Sequence, residues 1–544
     1  MRKKTRNALL CTLAAMAVLT GCGGDKKETA AAPAEGTTTA AVTEAAKTEA
    51  ETTAAVQTEE SGEKNLIMPS ASCVANLNPL LEGYKEAAML NPIYDPLYVI
   101  DVNETRYYLA DSYEVSEDGM QITVKLKEGL KWHDGEAITA DDMIFTMDVC
   151  SDTNNGAGGT NIVILNDQPV KYEKVDDLTV KVTLPMASAS YADLLGGLTL
   201  IPEHVFEGNP SVVSAGEANM KGIGSGPYKV TEFKQDEYLL LEKYDDYYMG
   251  APSIDKVTFR IISNLSAQEV ALMNGEVNFM ELANAPAVAK YEADPNFTVV
   301  KYPEGRVNYL AVNKFCETVQ DPKVVEAVFA ALNRDEIIAG AYGDGMAESA
   351  NSIFSNVNTF YDSSVEGYIQ DVEKAKQLVK ETGLDGKTLT LYFNSERVYM
   401  KESAQIIQQQ LKNVGINLEV IPLESAGFFE KVFGTDGDYE FYLNGYGAVG
   451  DPDQVVAGMY DGTWGVNLAV SDEVAQLWKD ARTVYTPEER AAIYKQIQIQ
   501  TRDELTCYPI AYPNYVFVTT SNIKGADTIK RTPVFEDYTK LTME

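Results

Sequence analysis

Residues 109–148 read LADSYEVSEDGMQITVKLKEGLKWHDGEAITADDMIFTMD. Two dipeptides, Asp118-Gly119 and Asp134-Gly135, bracket an apolar-polar alternating run at 122–126. Glycine accepts the positive φ that tight turns demand, so these pairs mark turns at either end of a strand. Ile122, Val124 and Leu126 alternate with Thr123 and Lys125, the period of a strand with one buried face. The stretch ends at Thr139-Ala140-Asp141-Asp142, where the threonine can cap a helix and the acids favour its positive end. Turn, strand, turn and capped helix are therefore expected here, with the helix over 139–150.

Working outward, further strands are expected at 178–184, 257–262, 389–393, 416–421 and 439–443. Helices are expected at 267–274, 321–333, 371–381, 402–414, 473–484 and 487–505. From Asp371 the order becomes helix, strand, helix, strand, helix, strand, which is the signature of an α/β lobe. The 544 residues exceed what one hydrophobic core organises, so two or more lobes are expected. With 45% hydrophobic and 23% charged residues the composition is that of an ordinary globular protein. No internal repeat is visible.

The first residues read as a processing segment. Arg2, Lys3, Lys4 and Arg6 precede the apolar run 8–20, which at 1.5 Å per residue reaches about 20 Å, short of the ~30 Å bilayer core. That length suits an export signal, residues 1–21. The run ends in Leu19-Thr20-Gly21-Cys22, which resembles the bacterial lipobox and makes the Cys22 thiol the expected lipid carrier. Residues 25–64 are dominated by Ala, Thr, Glu and Lys, and cannot bury enough apolar surface to offset their ordering entropy. Residues 22–64 are thus expected to be a lipidated disordered tether, roughly 35 Å end to end. Two or more acyl chains on Cys22 would anchor the body to the extracytoplasmic face of the cell membrane.

Charge and cysteine content exclude several functions. Loss of the four basic residues before Cys22 would leave 41 basic against 81 acidic residues, a balance of −40. Nucleic-acid binding needs Lys and Arg to displace counterions, so it is not expected. Cys73, Cys150, Cys316 and Cys507 are far apart, and pairing or burial as free thiols both remain open. With only His133 and His204 in the chain, a His/Cys zinc site is not expected, nor is any cofactor. The chain lacks Gly-x-Ser-x-Gly and His-Glu-x-x-His patterns, and catalysis is not expected.

The quoted stretch closely resembles the signature region of the family-5 extracellular solute-binding proteins, the peptide- and nickel-binding subunits of ABC importers. The shared features are Leu109-Ala110, Ser116-Glu117-Asp118-Gly119, Trp132-His133-Asp134-Gly135 and Thr139-Ala140-Asp141-Asp142. Further matches follow in the family's order at Asn76-Leu77-Asn78-Pro79-Leu80, Ile201-Pro202-Glu203-His204, Gly224-Ser225-Gly226-Pro227-Tyr228, Asp246-Tyr247-Tyr248-Met249-Gly250 and Ala331-Leu332-Asn333-Arg334. The resemblance implies an α/β, two-lobed periplasmic-binding-protein-like fold (class II/cluster C type) with three subdomains and a central interlobe cleft. It implies a discontinuous first lobe from 65–105, 220–305 and 510–544, a second subdomain of that lobe at 106–219, and a second lobe at 306–509. Such lobes close on solute about a hinge, and the closed form is presented to ABC permease subunits. A monomer is expected.

Peptide binders of this family carry a Trp-x-x-Asp-x-x-Asp-Pro-like segment whose first aspartate grips the peptide's amino group. The corresponding stretch here is Asn444-Gly445-Tyr446-Gly447-Ala448-Val449-Gly450-Asp451-Pro452-Asp453. Val449 aligns with the gripping aspartate, and valine cannot hold an ammonium. Either Asp451 has taken that role, or the solute is not recognised by a free amino terminus. Asp451 also reads as the turn residue ahead of Pro452. Arg397 lies where some dipeptide binders place an arginine for the ligand carboxylate, and guanidinium suits bidentate pairing. Tyr446 and Trp464 could stack on a solute or pack within a lobe. Asn76, Tyr84, Asn444 and Gly447 complete the expected solute contacts. A short peptide is the expected solute, with oligosaccharides, opines and metal chelates as alternatives, and a solute-sensing receptor would use the same fold.

Overall fold

The computed structural model describes residues 62–82, 89–100, 104–447, 450–462, 465–528 and 537–544. The principal elements of the first half are β1 (Asn65–Ser70), β2 (Ala110–Val115), β3 (Gln121–Leu126), α1 (Ala140–Ser151), β4 (Lys171–Asp176), β5 (Thr179–Thr183), α2 (Tyr191–Gly196), β6 (Tyr228–Lys234), β7 (Tyr238–Lys243), β8 (Lys256–Ile261) and α3 (Leu265–Met273). The second half continues with β9 (Phe279–Glu281), β10 (Phe297–Pro303), β11 (Arg306–Val312), α4 (Pro322–Ala331), β12 (Ala347–Ser349), α5 (Val372–Thr382), β13 (Thr388–Asn394), α6 (Val398–Lys412), β14 (Asn417–Leu423), α7 (Ser425–Val432), β15 (Phe441–Gly447), α8 (Pro452–Val455), α9 (Asp472–Ala481), α10 (Pro487–Asp503) and β16 (Cys507–Thr520).

These strands form three large sheets. In the first, β1 runs parallel to β8, and β7 and β6 follow antiparallel. The second has the antiparallel order β2-β3-β5-β4. The third has eight strands in the order β9-β16-β11-β15-β13-β14, with β10 and β12 also paired to β16. Its β13, β14 and β15 are parallel and joined by helices, as the alternating pattern after Asp371 requires. The long strand β16 pairs with β11 through its first residues and with β10 through its last. The lobe limits expected at 305/306 and 509/510 therefore fall at the β10–β11 connection and inside β16.

The quoted signature builds a junction. Ile122, Val124 and Leu126 of β3 are buried, as alternation demands. Thr139 Oγ1 accepts the Asp141 N–H at 3.3 Å and Asp142 Oδ2 accepts the Thr139 N–H at 2.9 Å, closing a capping box. The other oxygen of Asp142 accepts the Glu203 N–H at 3.0 Å, and His204 Nε2 lies 2.7 Å from Asp134 Oδ2. His133 reaches the glycine motif: Gly224 N–H donates to Nδ1 at 3.1 Å and Nε2 donates to Gly226 O at 2.9 Å. A Cβ on Gly224 would stand 1.9 Å from Ile93 O, so only glycine lets these segments meet. The motifs that are separate in sequence thus meet in one junction between the first two sheets.

Two elements differ from expectation by four residues at one end. The strand expected at 439–443 occupies Phe441–Gly447, because all seven residues pair with β11, from Val312↔Phe441 to Arg306↔Gly447. The helix expected from 402 begins at Val398, after Arg397 in extended conformation. The four described cysteines are free thiols, and burial raises Cys150 and Cys507 to about 12. Among the described residues no helix is long and apolar enough to cross a membrane.

Candidate functional site

Residues 188–193, at and before α2, meet the segment after β15 and the α9–α10 region. Ser190 Oγ donates to Asp453 Oδ2 at 2.9 Å and accepts from Gln454 Nε2 at 2.5 Å. Asp193 Oδ2 accepts the Asp451 N–H at 3.0 Å, and the Ala189 N–H donates to Arg482 O at 2.9 Å. Tyr485 adds a longer contact to Gly119 O at 3.4 Å. These partners are hundreds of residues apart in sequence, so the contacts hold the first-half body directly against the second.

Behind this seam the second body is tied by buried ion pairs. Arg490 grips both carboxylate oxygens of Asp451, donates to Ala481 O at 2.9 Å, and lies over the rings of Phe360 and Tyr494. Asp451 also caps α8 by accepting the Asp453 N–H at 3.0 Å. Arg482 bridges Asp453 and Asp461 at 2.6 Å each. Burying these charges is tolerable because each is paired and hydrogen-bonded.

At the C-terminal end of β15 itself the arrangement is open. Arg397 follows β13, is exposed, and its guanidinium makes no hydrogen bond or ion pair among the described residues. Partial desolvation, then the neighbouring Arg306 charge, lowers its pKa, against the opposing pull of Glu304. Arg306 donates to Gly445 O at 3.3 Å. A Cβ on Gly445 would lie 2.0 Å from Asn308 Oδ1 and 3.2 Å from Arg306 Nε, so glycine is needed for this close approach. Burial raises the Glu304 pKa although Arg306 and Arg397 pull it down. Two guanidiniums stand near two carboxyls, Glu304 and Glu396, and the Arg397 guanidinium keeps its hydrogen-bond donors unused among the described residues, which suits an anionic group of a ligand.

The expected solute contacts scatter. Asn76 makes its own turn, with Oδ1 accepting the Asn78 N–H at 2.8 Å. Asn444 and Gly447 lie on β15, opposite Tyr309 and Arg306, and Gly447 is exposed with open space around it. Of the two readings open for Tyr446, the structure shows packing: its hydroxyl donates to Ile353 O at 2.6 Å and its ring lies 5.1 Å from Tyr309, inside the core. Asp451 likewise has both oxygens bound by Arg490, which leaves no place for it to grip an ammonium in this conformation. Tyr84, Val449 and Trp464 lie outside the described residues. Arg306 and Glu304 were not anticipated; a lone arginine heading the apolar run 307–312 was the available signal. Among the described residues no group of three or more His, Cys, Asp or Glu is placed to hold a metal ion.

Residues 104–467 match the model of the bacterial extracellular solute-binding proteins, family 5 Middle. The chain belongs to this family. Among family relatives, the dipeptide-binding protein of Escherichia coli (strain K12) is 26% identical over 499 residues, covering 85% of this chain and 92% of its own. The ABC transporter substrate binding protein CtaP of Listeria monocytogenes superposes with a TM-score of 0.82 at 33% identity, over 88% of this chain and 99% of that one. The oligopeptide-binding protein AppA of Bacillus subtilis, solved with a nonapeptide, gives 0.70 at 26% identity over 89% and 99%. The fold is accordingly the two-lobed α/β fold of family-5 binding proteins.

Proposed function

We propose that this protein captures short peptides between its lobes and delivers them to an ABC permease. The observation that carries this is the unpaired Arg397 guanidinium beside Arg306, a cationic site able to hold a peptide's terminal carboxylate. From Gly445 to Gly450 the chain can span at most about 17 Å, so the cationic end and the interlobe seam lie within reach of one short peptide. The relatives named above as dipeptide- and oligopeptide-binding proteins support the same solute class. The lobes are taken as 65–105, 106–219, 220–305 and 510–544 against 306–509. Residues 1–21 act as a signal peptide, Cys22 carries the lipid, and 22–64 tether a monomeric, non-enzymatic body outside the cytoplasmic membrane.

Thermal-shift titration of the chain from Lys64 onward tests the reading. A solute bound only by the native form stabilises it by RT ln(1 + [L]/Kd), about 2.7 kcal/mol at a hundredfold excess over Kd. Short peptides with free carboxyl termini are expected to raise the midpoint, and their amides far less. A rise with oligosaccharides or metal chelates alone would overturn peptide capture. Cys22→Ser is expected to release the protein from the membrane fraction, and retention there would remove the lipid anchor.

A further inference from the structure

Two carboxyls stand near the guanidiniums of Arg306 and Arg397, and they are held differently. Glu396 is exposed, and its oxygens accept from Ser425, the N–H at 3.1 Å and the hydroxyl at 2.7 Å. Glu304 is half-buried in the β10–β11 connection, where its N–H donates to Pro513 O of β16 at 2.9 Å. β10 and β11 each pair with β16, which fixes this connection and keeps the Glu304 carboxyl near both arginines. We infer that capture of the solute's anionic group draws a proton onto Glu304, which gives up its own negative charge as the solute's charge arrives. The inference rests on the peptide reading above and adds a proton to that binding step.

In the free protein burial disfavours the Glu304 carboxylate, while Arg306 and then Arg397 favour it. A solute anion on these arginines takes up part of their pull and adds a like charge, and the solute's bulk displaces water. All three changes act in one direction, toward the protonated acid. The other groups facing this spot do not take the proton instead. Tyr399, on α6, is pushed up to about 12, first by burial and then by the Glu281 and Glu304 charges. Burial holds Tyr515, on β16, well above the ordinary tyrosine value, so both hydroxyls are protonated already. Glu396 stands in open solvent, where an added charge is screened. Glu281, on β9, acts on Tyr399 and Tyr515 rather than on the arginines. A group whose pKa is higher in the complex than in the free protein takes up a proton on association. Affinity for an anionic solute therefore rises as pH falls, and levels off once Glu304 is protonated in the free protein too.

Calorimetric titration of the mature chain with Ala-Ala-Ala and with its C-terminal amide, at pH 5.5 and pH 7.5, is the measurement. Repeating each titration in two buffers of different ionisation heat counts the protons taken up. Wild type is expected to bind the free acid about tenfold more tightly at pH 5.5 than at pH 7.5, with net proton uptake between them. The amide shares the amine but brings no anion, and is expected to show neither effect. Glu304→Gln, a neutral copy of the protonated acid, is expected to bind the free acid equally at both pH values and without proton uptake. Affinity independent of pH in wild type, or an uptake that Glu304→Gln leaves unchanged, would overturn the inference and leave peptide capture standing. Should that variant not fold, wild type alone decides, because equal uptake with acid and amide places the proton elsewhere. Binding of neither peptide by wild type, with a non-peptide solute still bound, would remove the peptide reading and this inference together.

Discussion

Arg490 and Arg397 both stand in the second half of the chain and show opposite solutions for a guanidinium. Arg490 is 5% exposed, with two carboxylate oxygens, a carbonyl and two aromatic rings around it. Arg397 is exposed, has Arg306 as well as Glu304 and Glu396 near it, and its guanidinium makes no hydrogen bond or ion pair among the described residues. A saturated charge holds structure, because its partners are already in place when the chain folds. An unsaturated charge beside a like charge lowers nothing in the free protein and gains only when an anion arrives. The two arginines therefore separate stability from binding, and the contrast can be attacked at either end.

The largest effect is expected from Arg490→Met. It leaves the Asp451 carboxylate buried without its partner, a loss of about 3–5 kcal/mol. Urea unfolding should show this as a large fall in midpoint, and adding Asp451→Asn should recover part of it. A change below about 1 kcal/mol would mean that the pair is dispensable and would break the comparison.

Next in size is the acid response of a second saturated group, His133. Its Nδ1 accepts the Gly224 N–H and its Nε2 donates to Gly226 O, so the folded protein needs the neutral ring. Burial lowers its pKa from 6.5 to about 4. The unfolded chain takes up a proton as pH falls below 6.5 while the folded chain does not, so this contribution is complete above 6.5 and is lost progressively down to about 4. The loss is about 3 kcal/mol. Unfolding at pH 7 and pH 4.5 should reveal it, and His133→Gln should flatten that difference. An unchanged difference in the variant would assign the acid sensitivity to other groups.

His133 also marks what the sequence made legible. Its motif could be read because turns, alternation and capping are local: Asp118-Gly119, Ile122 to Leu126 and Thr139 each act on neighbours a few residues away. Asp451 was legible for the same reason, and its capping of Asp453 is the turn role the Asp-Pro pair suggests. Tyr446 was legible only as an open choice between stacking and packing, because the choice depends on β15 running on to Gly447, whose alternation carries the ring into the core. The seam was invisible altogether: Asp193 and Asp451 are 258 residues apart, and no periodicity links a short helix in the first half of the chain to a loop in the second. Val449, on which the question of amine recognition turned, lies outside the described residues.

At the open end of the contrast, Arg397→Ala should leave the unfolding midpoint unchanged, since nothing in the described protein depends on its guanidinium. The affinity for peptides with a free carboxyl terminus should fall by about 1.5–3 kcal/mol, roughly ten- to a hundredfold, the worth of a charge-assisted hydrogen bond. Peptide amides should lose far less. A loss of stability without a loss of affinity would make Arg397 another structural charge, and the distinction from Arg490 would disappear.

The smallest effect is expected at the seam itself, from Ser190→Ala. The hydroxyl links Asp453 and Gln454 across the seam, and its removal forfeits hydrogen bonds worth about 0.5–1.5 kcal/mol in total. Asp453 keeps Arg482, so no buried charge is stranded and the global stability should scarcely move. The cost falls on the closed form alone. Apparent affinity scales with the fraction of molecules able to close, so every solute should weaken by the same factor, about two- to tenfold. Comparing two solutes of different chemistry checks this, because a seam residue cannot discriminate between them, whereas Arg397 must. Selective weakening of one solute would place Ser190 in the binding site and move the boundary between closing residues and recognising residues toward α2.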